Sequence, residues 1–218
     1  MSANRNHRIA KLVTNLTSLP IPLAVIQLLI WHRLPESDAA AKIFFWYSVA
    51  IFIAPVAAVL LLILGRKSFR PSAVTFADFQ LSNRQERRPA ILIFLIGSIC
   101  AIPIALQDQS GTLLRHAAAI LCLVIALFAV TFSTPYKVSL HAAGGSAAVG
   151  MSLVAAAAGN RPGFVWLTLG LLCVLLGVST ARLVCRLEGA NPEEGHLPGE
   201  VFIGGTLGAV IAVTAFML

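Results

Sequence analysis

Seven stretches of this chain, residues 12–31, 43–65, 89–107, 116–136, 138–160, 162–181 and 201–218, contain no Asp, Glu, Lys or Arg. Together they take up 144 of the 218 residues, and polar connectors separate them. A helix needs roughly 20 apolar residues to cross the hydrocarbon core of a bilayer, and each stretch reaches or approaches that length. Lipid offers no partner to an exposed backbone N–H or C=O, so only helices and closed barrels span it; uncharged runs of this length select the helix. Composition agrees. The chain is 58% hydrophobic and 11% charged, against about 45–50% and about 25% for a soluble domain. The expected fold is all-α, a polytopic transmembrane helix bundle of about seven spans, forming a single integral membrane domain over 1–218.

Arg5, Arg8 and Lys11 precede the first stretch, the layout of a secretory signal with cleavage near Ala39-Ala40-Ala41. Twenty uncharged residues are long for such a signal, so a retained first helix is expected; six spans remain if it is cleaved or lies at the interface. Pro20 and Pro22 each remove a backbone donor and are expected to kink this helix or push its start later.

Cys100, Cys122 and Cys173 lie inside apolar stretches and Cys185 just after one, without C-x-x-C spacing. They read as small membrane-embedded residues, not as a zinc site or disulfide framework. The net charge of +7 sits in the connectors, so it predicts membrane topology and no nucleic-acid partner. Twelve of the sixteen Lys and Arg residues fall on the side that holds the N-terminus, leaving Arg33, Lys42, Arg115 and Arg161 opposite. Seven against four remain when five residues suited to chemistry are set aside. The richer side is expected in the cytoplasm, with the protein in the plasma membrane.

Segment 142–159 is built mainly of Ala, Gly and Ser. Small side chains let helices approach backbone to backbone in a bilayer, which predicts a central place for the fifth span. Gly204, Gly205 and Gly208 give the seventh a similar face. No inverted repeat of the kind common in transporters is apparent.

Unusual polar residues gather in three connectors, each two spans from the next, so all three emerge on one membrane face. The first, within 66–88, carries Asp78, Asn83, Arg84, Glu86, Arg87 and Arg88, followed by Pro89. The second holds Lys137, Ser139 and His141; the third holds Arg182 and Arg186, then His196-Leu-Pro-Gly-Glu200-Val201. Guanidinium forks bind phosphate oxygens bidentately. Two imidazoles are what transfer through a phosphohistidine requires, one to attack phosphorus and one to protonate the leaving alkoxide. His196 and Glu200 stand at i and i+4 of a helix start, which lets the carboxylate orient the ring. This chemistry invokes no metal and no cofactor.

These clusters resemble the type 2 phosphatidic acid phosphatase family, integral membrane enzymes whose motifs are K-x6-R-P, P-S-G-H and S-R-x5-H-x3-D in that order. Arg88-Pro89 matches the end of the first; its lysine position is Leu81, with Arg84 or Lys137 as the replacement. Ser139 and His141 match the second, without its proline and glycine. Arg182, His196 and Glu200 match the third, with thirteen residues in place of five between arginine and histidine, and Arg186 as the alternative ligand. The resemblance covers roughly 84–201 and implies a phosphatase-like core over about 66–218, leaving the first two helices outside.

The resemblance implies a membrane lipid phosphate, of polyprenyl or phosphatidate type, as substrate. His196 would be nucleophile, Glu200 its orienting acid and His141 the general acid. Arg84, Arg87, Arg88, Lys137, Ser139 and Arg182 would hold the phosphoryl oxygens. Arg66, Lys67 and Arg70 read as a basic loop near lipid headgroups, and His7, His32 and His116 as interfacial or core residues. Two other classes stay open, a small anion or lipid transporter and a non-catalytic protein that binds a lipid phosphate. The sequence leaves the particular lipid and the oligomeric state open.

Overall fold

The computed structural model describes residues 9, 20–31, 34, 36–66, 84–134, 138–159, 162–188 and 197–217. Among them are seven helices and no strand: α1 (Pro20–Trp31), α2 (Asp38–Arg66), α3 (Arg84–Ala105), α4 (Thr112–Ser133), α5 (Leu140–Gly159), α6 (Pro162–Glu188) and α7 (Pro198–Met217). Asp38–Arg66, Arg87–Ala105 and Thr112–Ser133 are long and apolar enough to cross a membrane; shorter apolar stretches run Ala142–Val154, Leu167–Ala181 and Pro198–Thr214. Leu28, Leu61, Ile96, Ile99, Leu176 and Phe202 point outward and are more than half exposed. Outward apolar side chains on so many helices are a liability in water and the expected covering in lipid.

Local chemistry sets the helix ends. Pro20 opens α1 and Pro22 lies in its first turn, where the missing donor has no intrahelical partner to lose. Ser37 caps α2, its Oγ accepting from Ala40 N at 3.1 Å. Pro55 sits mid-way along α2, where a proline lacks its N–H and its ring crowds the carbonyl four residues earlier. The chain answers with a π-turn over Val49–Ile53, closed by Ala54 N on Val49 O. Asp108 ends the α3–α4 turn by accepting from Ser110 N at 3.1 Å and Leu113 N at 2.9 Å. Gly111 takes φ +70 there, a left-handed conformation that glycine adopts without steric cost.

The core joins the helices through residues buried at helical spacing, with Leu171 of α6 packed against it. Along α4 these are Leu113, His116, Ile120, Leu123, Leu127 and Thr131. His116 is fully buried, so it is a core residue, and its Nδ1 lies 2.6 Å from the Tyr47 hydroxyl of α2. Cys100, Cys122 and Cys173 are on outward faces of α3, α4 and α6.

Helix α5 lies in the middle, packed against α1, α6 and α7. Its contact with α7 is backbone to backbone. A Cβ on Gly204 would run into Ser139 O, and one on Gly208 into Ala143 O and Ser146 Oγ. Gly150 of α5 in turn faces Ala212 and Val213. Gly204, Gly208 and Ala212 form one stripe at four-residue intervals, the arrangement that brings membrane helices closest together. Gly205 is off this stripe, with open space where a side chain would go.

Candidate functional site

Helices α3, α5 and α7 begin at the same end of the bundle, and two hydrogen bonds tie their starts together. Arg87, in the second turn of α3, is 2% exposed and donates from its guanidinium to Val138 O, just ahead of α5. Ser139 N donates to Glu200 O in the first turn of α7 at 3.1 Å. One residue from each of the three polar connectors, Arg87, Ser139 and Glu200, therefore meets at one junction.

Ser139 is the N-cap of α5. Its Oγ accepts from Ala142 N at 3.3 Å and its carbonyl from Ala143 N at 3.0 Å, satisfying donors that open a helix. Glu200 does the equivalent for α7. With Pro198 at the first helical position, its carboxylate reaches back to accept from Leu197 N at 3.0 Å, half of a capping box. The geometry thus gives both residues an architectural duty that the sequence reading did not assign. Arg87 likewise commits a donor to main chain, which makes it a residue that positions Ser139.

Arg88 is held differently. Its guanidinium carbon lies 4.9 Å from the ring centre of Phe132 at the end of α4, and Phe132 stacks on Phe128 at 4.2 Å. Its Nε is buried without a hydrogen-bond partner among the described residues. An arginine over an aromatic face keeps its charge and its outer donors while its plane is fixed.

The remaining predicted residues are placed in part. Arg84 opens α3, His141 is the second residue of α5 and Arg182 lies within α6, but their side chains are outside the described residues. His196 and Lys137 are outside the described residues altogether. Arg182 and Arg186 stand four positions apart on α6, which continues as helix to Glu188. Among the described residues no three His, Cys, Asp or Glu side chains come together as a metal would require.

The electrostatics of the junction favour an anion. A helix N-terminus carries about half a positive charge, and three such ends converge here. Arg84, Arg87 and Arg88 all lie in the first two turns of α3, where that field disfavours cations. Phosphate groups bind at helix N-termini through such fields and the backbone donors there.

The sequence reading missed the carbonyl of Val138, the ring of Phe132 and the Tyr47–His116 pair. A carbonyl acceptor and a ring contact between distant helices have no signature in spacing. No known protein family, no curated protein and no solved structure matches this chain.

Proposed function

We propose that this chain is a seven-span plasma-membrane phosphatase that removes phosphate from a lipid phosphate or diphosphate through a phosphohistidine. The observation that carries the reading is the junction itself. Three connectors far apart in sequence, each bearing cations, imidazoles or a carboxylate, are stitched at one end by Arg87 on Val138 O and Ser139 N on Glu200 O. The convergence of three helix N-termini with two buried or half-buried arginines supplies the field a phosphate needs.

In this reading a nitrogen of His196 attacks phosphorus, and the bond from phosphorus to the lipid oxygen breaks. His141 gives its proton to that oxygen, and the lipid alcohol, or the lipid monophosphate from a diphosphate, departs. Water then attacks the phosphohistidine while His141 takes its proton, releasing inorganic phosphate and restoring both rings. Arg88, with Arg84, Lys137 and Arg182, offsets the negative charge that grows on the phosphoryl oxygens. Arg87 and Ser139 hold the start of α5, and Glu200 holds the start of α7 four residues after His196. The site faces the cytoplasm and draws substrate from that leaflet.

A second reading has its own support. Glu200 and Ser139 are both engaged as helix caps, as a non-catalytic protein that binds a lipid phosphate would also have them. The test is inorganic phosphate release by the detergent-purified protein from a panel of lipid phosphates and diphosphates, without added metal, beside His196→Ala. Release that disappears in the variant while the fold persists is the expected result. No release from any member of the panel moves the assignment to the binding or transporter class, and release that persists in the variant overturns His196 as the nucleophile.

A further inference from the structure

An apolar cleft of about 80 Å³, partly open, lies directly beneath the polar junction. Its walls come from five helices: Ile26 of α1, Ile51 of α2, Ile91 and Phe94 of α3, Leu123 of α4 and Ala143 of α5 among them, with Gln27 the one polar lining residue among the described residues. Two of these walls continue from the junction along single helix faces. Ile91 and Phe94 follow Arg87 at i+4 and i+7 on α3, and Ala143 follows Ser139 at i+4 on α5, spacings that share one side of a helix. Cations and helix N-termini at one end and hydrocarbon walls at the other match an amphiphile with an anionic head and an apolar tail.

We infer that this cleft seats the head-proximal part of a single hydrocarbon chain, so that the substrate is a single-chain lipid phosphate and helices α1 and α2 form the chain-reading wall. The inference rests on the phosphatase reading for the word substrate, and on the cleft alone for the chain. A water-sized group needs about 10–15 Å³ of such space, so the cleft has room for only a handful of carbon-sized groups. That is space for a short segment of one chain. Ile26 and Ile51 belong to the two helices that the motifs do not reach, which gives that N-terminal part a task in choosing the tail.

The probe is a long-chain alkyl phosphate carrying a photoactivatable diazirine in the first third of its chain, added to the full-length protein in nanodiscs and followed by peptide mapping. Adducts on Ile91, Phe94, Leu123 or Ile26, competed at least about tenfold better by unlabelled alkyl phosphate than by the alcohol of equal chain, are expected. Ala90→Leu, which fills the cleft, should cut that labelling about tenfold; Ile26→Ala, which widens it, should let a branched-chain phosphate compete. Adducts confined to Leu92 and Ile96, on the outward side of the same helix, would overturn the chain site, as would equal competition by the alcohol. A diacyl phosphate competing as well as the single-chain one overturns the single-chain claim. Mapping reads binding and not turnover, so cleft adducts without phosphate release would sink the phosphatase and leave the chain site standing.

Discussion

At the scale of single residues, Glu200 holds two assignments that one pair of substitutions separates. Glutamine fills the capping position as well as glutamate does, so Glu200→Gln should unfold within about 0.5 kcal/mol of the parent. If its charge also steadies the His196 imidazolium, turnover should fall at least about tenfold, a barrier change of about 1.4 kcal/mol. Glu200→Ala should lose turnover and about 1 kcal/mol of stability together. Unchanged turnover in Glu200→Gln would reduce the residue to a cap. Arg87→Met tests the buried guanidinium. A hydrogen bond from a charged donor contributes about 1.5–3 kcal/mol, so thermal unfolding in detergent should drop by that order; a variant as stable as the parent would show that Val138 O finds another donor. These residues were picked out from sequence by type and order. Their partners were not legible, because an arginine that serves a backbone carbonyl and one that awaits a phosphate have the same one-letter code.

At the scale of the helix, each of the seven described helices overlaps an uncharged run, and the differences at their ends have one cause. Counting charges ends a span at its first Arg or Glu, whereas a helix continues until its backbone donors and acceptors fail. Thus α3 starts at Arg84, five residues before its apolar run, and α6 proceeds past Arg182 and Arg186 to Glu188. Pro55 gave no sign that a π-turn would absorb it. The small-residue content of 142–159 did foretell the central place of α5, though not which glycines matter. Gly208→Val forces side-chain atoms into Ala143 O and Ser146 Oγ; overpacking of this kind costs about 1–3 kcal/mol, and loss of a monodisperse elution peak should accompany it. Gly205→Ala meets nothing and should leave stability unchanged or raise it by up to about 1 kcal/mol. Equal damage from both would refute the assigned face.

At the scale of the whole molecule, orientation is the property that most affects function, and basic-residue counting is its only guide. A single cysteine placed in the 67–83 connector of a cysteine-free variant should be protected from an impermeant thiol reagent in intact cells and react after permeabilisation. Ready labelling in intact cells would put the junction outside and reverse the leaflet from which substrate comes. Among the described residues three helices are long and apolar enough to cross a membrane, and their outward apolar faces supply the physical reason for a bilayer; the sidedness is carried by the connector charges, which act during insertion.

The stripe Gly204, Gly208, Ala212 begins one turn after Glu200, whose carbonyl receives Ser139 N. The head of α7 is therefore keyed to α5 like a shaft in a slot: rotation about its axis and sliding along it are blocked by the same close backbone contact. One residue inserted between Glu200 and Gly204 would turn the head by about 100° relative to its keyway, swinging Glu200 away from Ser139 while the helix itself stays intact. Length variation in this chain should accordingly be rejected within the first two turns of α7.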